Sequence, residues 1–223
     1  GSVTIDGSVV EDSTIADLST KIGLVFQNPF NQLSYTAGTV AEELAYGLGN
    51  RGIPREEMIK KGIRVTSEIN YGPDNTWQFW LENPLELSGG QVQRVAFGST
   101  FIMEPKILVL DECTTQLDPL GSEEIFDIVK DLNKNGITVI MVDHEMERVA
   151  RCADKVMVLD AGEVVAIDEP KKIFGNPDIV AHHIGVPDYV KICNALKEKG
   201  YTDREIEVTE EPTIELVKEA LKG

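Results

Sequence analysis

The sequence predicts an α/β fold: a mostly parallel sheet clothed by helices, interrupted by a helical insertion and followed by a small α-rich appendage. Three observations carry that reading. Ile22–Phe26, Ile107–Leu110 and Ile137–Val142 are short, continuous apolar runs with the length and character of buried strands. Ser122–Asn133 and Met146–Cys152 follow the last two runs as helical stretches, and that alternation calls for parallel strands covered on both faces. Between the first two runs, from Thr39 to about Glu82 and again from Gln91 to Met103, the pattern is helical.

In chain order, Val3-Thr4-Ile5 before the Asp6-Gly7 turn opens with a strand signal, and Ile22–Phe26 supplies the first buried strand. Val40, Leu44, Ala45 and Leu48 recur at helical spacing behind a Thr39 cap. Pro54 ahead of Arg55-Glu56-Glu57-Met58 marks a second helix start. Leu87-Ser88-Gly89-Gly90 opens the helix that runs to Met103, and Asn135-Gly136 stops the one that begins at Ser122. Val156–Leu159 and Val164–Ile167 flank Asp160-Ala161-Gly162 as a hairpin. The tail holds helices over Asp188–Lys199 and Thr213–Lys222, the first with a Tyr189, Ile192, Cys193, Leu196 stripe. Trp77, Phe79 and Trp80 form an aromatic cluster read as packing inside the helical insertion.

Composition removes several function classes. The chain has 223 residues, and 38 acidic against 21 basic side chains give a formal charge of −17. Such a surface argues against a general nucleic-acid binder, which needs clustered Lys and Arg, and against direct adsorption to anionic lipid. No stretch approaches the ~18 apolar residues of a membrane span. Membrane association is therefore expected to run through a protein partner. Cys113, Cys152 and Cys193 have neither disulfide-framework nor zinc spacing and read as reduced thiols.

Three places carry chemistry. Leu87-Ser88-Gly89-Gly90-Gln91 enters a helix with two glycines, so backbone N–H groups and the positive helix end can meet an anion, with Ser88 donating to a phosphate oxygen. Alone, it reads equally as a helix cap. Asp111-Glu112 emerges at the carboxyl end of an apolar strand, where a Mg²⁺ ion held by Asp111 would offset the desolvation of two carboxylates and Glu112 could accept a proton from water. The plain alternative is a solvated strand-to-loop junction. Asp143-His144 closes the next strand, and ligands of open α/β sheets gather at such ends; a structural histidine is the alternative there, while His182 and His183, with no acidic or Cys partners nearby in sequence, read as structural.

Gln27 in Phe26-Gln27-Asn28-Pro29, Leu87–Gln91, Ile107–Glu112, Leu117-Asp118-Pro119 and His144 occur in the order and spacing of ABC-type ATPases. They resemble that family's Q-loop, signature motif, Walker B strand, D-loop and switch histidine. Gln27–Leu33, Thr39–Gly47, Gly52–Met58 and the C-terminal extension with Glu211-Pro212-Thr213 are similar to the energy-coupling-factor ATPases of cobalt, nickel and vitamin uptake. Cys113 replaces the usual Pro after Asp-Glu, which suggests a looser loop, and Thr115-Gln116 stand where small residues and Gly are usual. No G-x-x-x-x-G-K-[ST] occurs. In the family that loop precedes the strand that Val3–Gly7 resembles, so a truncated N-terminus, inactive by itself, is the expectation.

The resemblance implies a RecA-like P-loop NTPase core, ATP and Mg²⁺ as cofactors, and two ATPase subunits (a homo- or heterodimer) closing head to tail over two ATP molecules. Glu112 and His144 would be catalytic, Asp111 and Gln27 would hold the metal, and Ser88, Gly89, Gly90 and Gln91 would complete the partner's site, with Asp118 contacting the opposite subunit. Residues 1–38 and 104–186 would form the core, 39–103 the helical subdomain gripping a transmembrane coupling subunit, and 187–223 the extension. A peripheral place on the cytoplasmic face of the membrane follows. Two alternatives carry the same motifs: a soluble ABC ATPase of DNA repair or translation, and a non-catalytic subunit that lends only its signature helix.

Overall fold

The computed structural model describes residues 1–69, 76–180, 182 and 184–221. They pack as two compact units, Gly1–Val142 and Asp143–Gly223.

In the first unit, strands β1 (Thr4–Ile5) and β2 (Ser8–Val9) form an antiparallel ribbon around the Asp6-Gly7 turn. Helix α1 (Ile15–Ser19) starts in a capping box, with Thr14 Oγ1 accepting from the Asp17 N–H at 3.1 Å. Strands β3 (Ile22–Val25), β4 (Ile107–Asp111) and β5 (Thr138–Val142) make a parallel sheet with β4 central, Leu24 opposite Val109 and Val109 opposite Ile140. The insertion supplies α2 (Val40–Asn50), α3 (Arg55–Glu68), α4 (Thr76–Trp80) and α5 (Gly89–Phe101). Helix α6 (Pro119–Lys134) crosses from β4 to β5.

The core of this unit lies between α5, α6 and one face of the sheet. Val25, Leu108 and Leu110 point into it, with Phe97, Phe101 and Ile125 against them. Helix α5 is buried on most of its circumference, Val92 and Val95 at 0% exposure. Gly23 permits its approach to β3: a Cβ there would lie 2.6 Å from Thr100 Cγ2. Trp80 and Phe79 are buried, and Trp80 Nε1 donates to Thr66 Oγ1 at 2.9 Å, which anchors α4 on α3 as subdomain packing requires. Trp77 is exposed and meets Trp80 edge-on.

The second unit contains α7 (Met146–Cys152), an antiparallel hairpin of β6 (Val156–Asp160) and β7 (Glu163–Asp168), α8 (Pro170–Phe174), α9 (Pro177–Val180), α10 (Asp188–Glu198) and α11 (Glu210–Ala220). Val158, Ile173, Phe174, Ile179 and Val190 form its core.

Several expectations need correction. Among the described residues, Leu24, Ile140 and Val142 on one face of the sheet are 41%, 52% and 53% exposed. Helix α6 begins at Pro119, not Ser122, because Asp118 caps it and Pro at the first position forfeits no intrahelical bond. Helix α11 starts at Glu210 rather than Thr213, and Pro212 in its first turn is at a position whose N–H would have no intrahelical partner. On α10 the buried positions are Val190 and Cys193 while Ile192 is 43% exposed, so the stripe is rotated from the one expected. Cys113, which follows Glu112, is 3% exposed in the core, and the Leu117 N–H closes a turn on the Thr114 carbonyl at 3.0 Å. His183, Lys222 and residues 70–75 of the helical stretch lie outside the described residues.

Candidate functional site

The carboxyl edge of the three-stranded sheet gathers the first group of expected residues. Strand β4 ends at Asp111, which is exposed and pairs in register with Val142 of β5. Glu112 continues the ladder, its N–H donating to the Val142 carbonyl at 3.0 Å, and adopts a φ of +43°. A non-glycine residue in the left-handed region is strained. On the other side of β4, the chain leaving β3 reaches Gln27, whose Nε2 donates to Glu112 Oε2 at 2.6 Å. Gln27 and Glu112 are 85 residues apart in sequence, and the fold brings them into hydrogen-bond contact.

This arrangement fits a hard cation and an anionic ligand. Gln27 spends its Nε2 on Glu112 and keeps its amide oxygen, and Asp111, next to Glu112 in the chain, is exposed; oxygen donors of this kind are what Mg²⁺ takes, with phosphate and water completing the shell. Among the described residues no group of three or more His, Cys, Asp and Glu side chains could hold a metal ion by itself.

The second group heads α5. Ser88 is the N-cap: its Oγ accepts from the Gln91 N–H at 3.4 Å, and Gln91 Oε1 accepts from the Ser88 N–H at 2.9 Å. The cap alternative and the anion site coexist here, because the amides of Gly89 and Gly90 still head the helix. The glycines have a second use. A Cβ on Gly89 would lie 3.1 Å from Gln116 Oε1, and one on Gly90 would lie 3.5 Å from the Gln116 carbonyl oxygen. A side chain at Gly89 would press on the flexible end of Gln116, and one at Gly90 would make ordinary contact with the turn that follows Glu112.

Asp118 is committed locally as the cap of α6, its Oδ1 accepting the Gly121 N–H at 2.6 Å. His144 lies in the second unit, exposed, in a loop braced by its neighbour. Asp143 accepts the Glu145 N–H at 2.8 Å and pairs with Arg148 Nη1 at 2.8 Å, with both side chains under a tenth exposed. His182 Nδ1 stands 2.6 Å from Asp160 Oδ2, a partnership that fits the structural reading given to it.

The sequence reading missed the supporting side chains. Gln32 stands in the quoted Gln27–Leu33 motif without a role, and Arg94, Gln116 and Arg148 were not singled out as supports. Arg94 joins three elements: Nη1 donates to the Ile69 carbonyl at the end of α3 and Nη2 pairs with Glu124 of α6, each at 2.9 Å. A polar residue one or two turns inside an otherwise buried helix was the available signal.

Known proteins resemble this chain over most of its length. Residues 1–115 match the family model described as ABC transporter. A protein of Pyrococcus abyssi named as an ABC transporter ATP-binding protein is 42% identical over 98% of this chain and 76% of its own length. The energy-coupling factor transporter ATP-binding protein EcfA1 of Lactococcus lactis is 34% identical over 100% of this chain and 78% of its own. Among solved structures, cbiO1 of Clostridium perfringens, described as part of the ABC transporter complex cbiONQ, is similar with a TM-score of 0.66 and 29% identity, covering 87% of this chain and 75% of that one. The chain belongs to the ABC transporter family, as an ATP-binding and ATP-hydrolysing subunit that uses Mg²⁺ and is related to the energy-coupling-factor ATPases.

Proposed function

We propose that this chain is one of two ATPase subunits that power an energy-coupling-factor importer of a metal ion or a vitamin, peripheral on the cytoplasmic face through a transmembrane coupling subunit. The observation that carries the reading is the Gln27–Glu112 hydrogen bond at the carboxyl edge of the sheet, beside Asp111. It joins an expected metal ligand to the expected general base. The names of EcfA1 and of the cbiONQ complex support the importer and its membrane partners.

In this reading Asp111 and the Gln27 amide oxygen hold Mg²⁺, which supplies charge neutralisation at the terminal phosphates. Glu112 takes the proton of the attacking water, and Gln27 fixes which carboxylate oxygen is turned toward its own loop. His144, on a loop braced by Asp143 and Arg148, is the residue proposed to contact a terminal phosphate or orient water. Ser88, Gly89, Gly90 and Gln91 present the capped amino end of α5 to the opposite subunit's ATP, while Asp118 meets that subunit beside the amino end of α6. The functional division follows residues 1–38 and 104–186 as core, 39–103 as helical subdomain and 187–223 as extension.

Two substitutions in the full-length subunit, assembled with its partners, test this reading. Glu112→Gln keeps the shape and an acceptor for Gln27 but removes proton acceptance, so turnover should fall by ~10²–10⁴ while ATP still binds and the closed dimer accumulates. Ser88→Arg crowds the opposite phosphate, so closure should fail although the altered subunit still binds nucleotide. Near-normal hydrolysis by Glu112→Gln refutes the base, and normal closure of Ser88→Arg refutes the head-to-tail site.

A further inference from the structure

The segment that carries Gln27 is fastened to the signature helix by one side chain. Gln32 ends the 3-10 turn Pro29–Gln32 that follows Gln27. Its Nε2 donates to the Ala96 carbonyl at 2.8 Å and to Thr100 Oγ1 at 2.7 Å, and its Oε1 accepts the Phe26 N–H at 3.3 Å. Ala96 and Thr100 are buried positions one turn apart on α5, and Phe26 directly follows β3. The amide therefore spans from the strand exit to the middle of α5. Just beyond, Glu43 of α2, 5% exposed, accepts both the N–H and the hydroxyl of Ser34 at 2.8 Å. Residues 27–34 are thus tied in turn to Glu112, to α5 and to α2. A loop so short between fixed points transmits displacement instead of absorbing it.

The helix is suited to carry that displacement onward. From Ala96 back to Ser88 is about 12 Å along an α-helix axis. Over that length α5 is closed by the Ser88–Gln91 capping box and packed on most sides, so it moves as a rod. We propose that Gln32 is a positioning residue that couples the Gln27 loop of one subunit to the signature helix the same subunit offers to the opposite ATP site. The proposal rests on the head-to-tail reading given above. Occupancy sensed at Gln27 in one site then aligns Ser88, Gly89 and Gly90 in the other, which links two distant sites through a few hydrogen bonds.

The test confines hydrolysis to one site at a time in the full-length, assembled transporter. Gln32→Leu removes both arms at similar volume. Gln32→Glu keeps an acceptor for the Phe26 N–H but cannot donate to the Ala96 carbonyl. When the variant chain also carries Glu112→Gln, only the opposite site turns over, and that site borrows its signature from the variant chain. There both Gln32 variants should lower kcat about tenfold, the scale of one or two lost buried hydrogen bonds, with KM for Mg-ATP changed less than about twofold. When the partner's general base is replaced instead, the site built on the variant chain's own Asp111 and Glu112 should lose less than about a third as much. Equal losses in the two arrangements, or no loss in the first, overturn the coupling. Ser88→Arg in the first arrangement separates the two ideas. If it leaves opposite-site turnover intact, the head-to-tail reading itself falls and the coupling falls with it. If it abolishes turnover while the Gln32 variants do not, only the coupling is refuted.

Discussion

Replacing Arg94 with Met should destabilise the first unit by about 2–3 kcal/mol, and the structure gives the terms of that figure. One arm, Nη1 on the Ile69 carbonyl at 2.9 Å, places a positive charge at the carboxyl end of α3, where the helix dipole favours it. The other, Nη2 on Glu124 at 2.9 Å, is a salt bridge with side-chain exposures of 17% and 28%, too sheltered to count as a surface pair. Hydrogen bonds to charged groups contribute about 1.5–3 kcal/mol each, and Met recovers part of the aliphatic packing. At about 2–4 °C per kcal/mol for a chain of this size, the melting midpoint should fall by about 4–12 °C. Arg94→Lys keeps one point charge but not the fork, so it should lose about half as much. Circular dichroism melts of the full-length subunit read both, and a cycle with Glu124→Gln should return a coupling of about 1–2 kcal/mol. An Arg94→Met midpoint within about 1 °C of the parent would refute the joint.

Two further predictions concern stability. Gln93 is 0% exposed on α5, and neither amide atom has a hydrogen-bond partner among the described residues, so Gln93→Met, similar in volume, should raise stability by about 1–3 kcal/mol; a lower urea midpoint for the variant would contradict that reading. Glu104 is held below the ordinary carboxylate range by the hydrogen bond from Lys61 at 2.6 Å, with Arg64 adding to it. A depressed folded value means that the unfolded chain binds more protons, so this contribution is present above about pH 4.3 and is lost as pH falls through the lower folded value. The stability gap between the parent and Glu104→Gln should therefore close on acidification below that point, and a gap that stays constant with pH would show that the charge is not responsible.

The parallel sheet was legible because its strands are apolar runs bounded by turn residues: β3 and β5 fall within those runs, and β4 extends one residue beyond its run, to Asp111. The helix starts were less so. Asp118-Pro119 reads as a loop motif when its function is considered first, yet the pair is a cap followed by a preorganised first residue, and the helix begins there. The site was visible as separate motifs, but its contacts were not. Nothing in Gln27 or Glu112 taken singly specifies a bond across 85 residues; that follows only once β3 and β4 are neighbours.

Glu112 is held from both sides of the central strand. An edge strand has one neighbour; β4 has β3 on one side and β5 on the other. On the β5 side the ladder runs one residue beyond the strand, through the Glu112 N–H and the Val142 carbonyl, which fixes the backbone. On the β3 side the exiting chain delivers Gln27 to the carboxylate. A left-handed φ of +43° costs about 1–2 kcal/mol for a residue with a Cβ, and these two restraints hold it. The strain has a geometric result: it turns residue 112 out of the alternation of the strand, so the carboxylates of Asp111 and Glu112 are not forced onto opposite faces as consecutive strand residues would be. Consecutive carboxylates at the end of the strand can then face the same side, the arrangement that the proposed pairing of metal ligand and proton acceptor calls for.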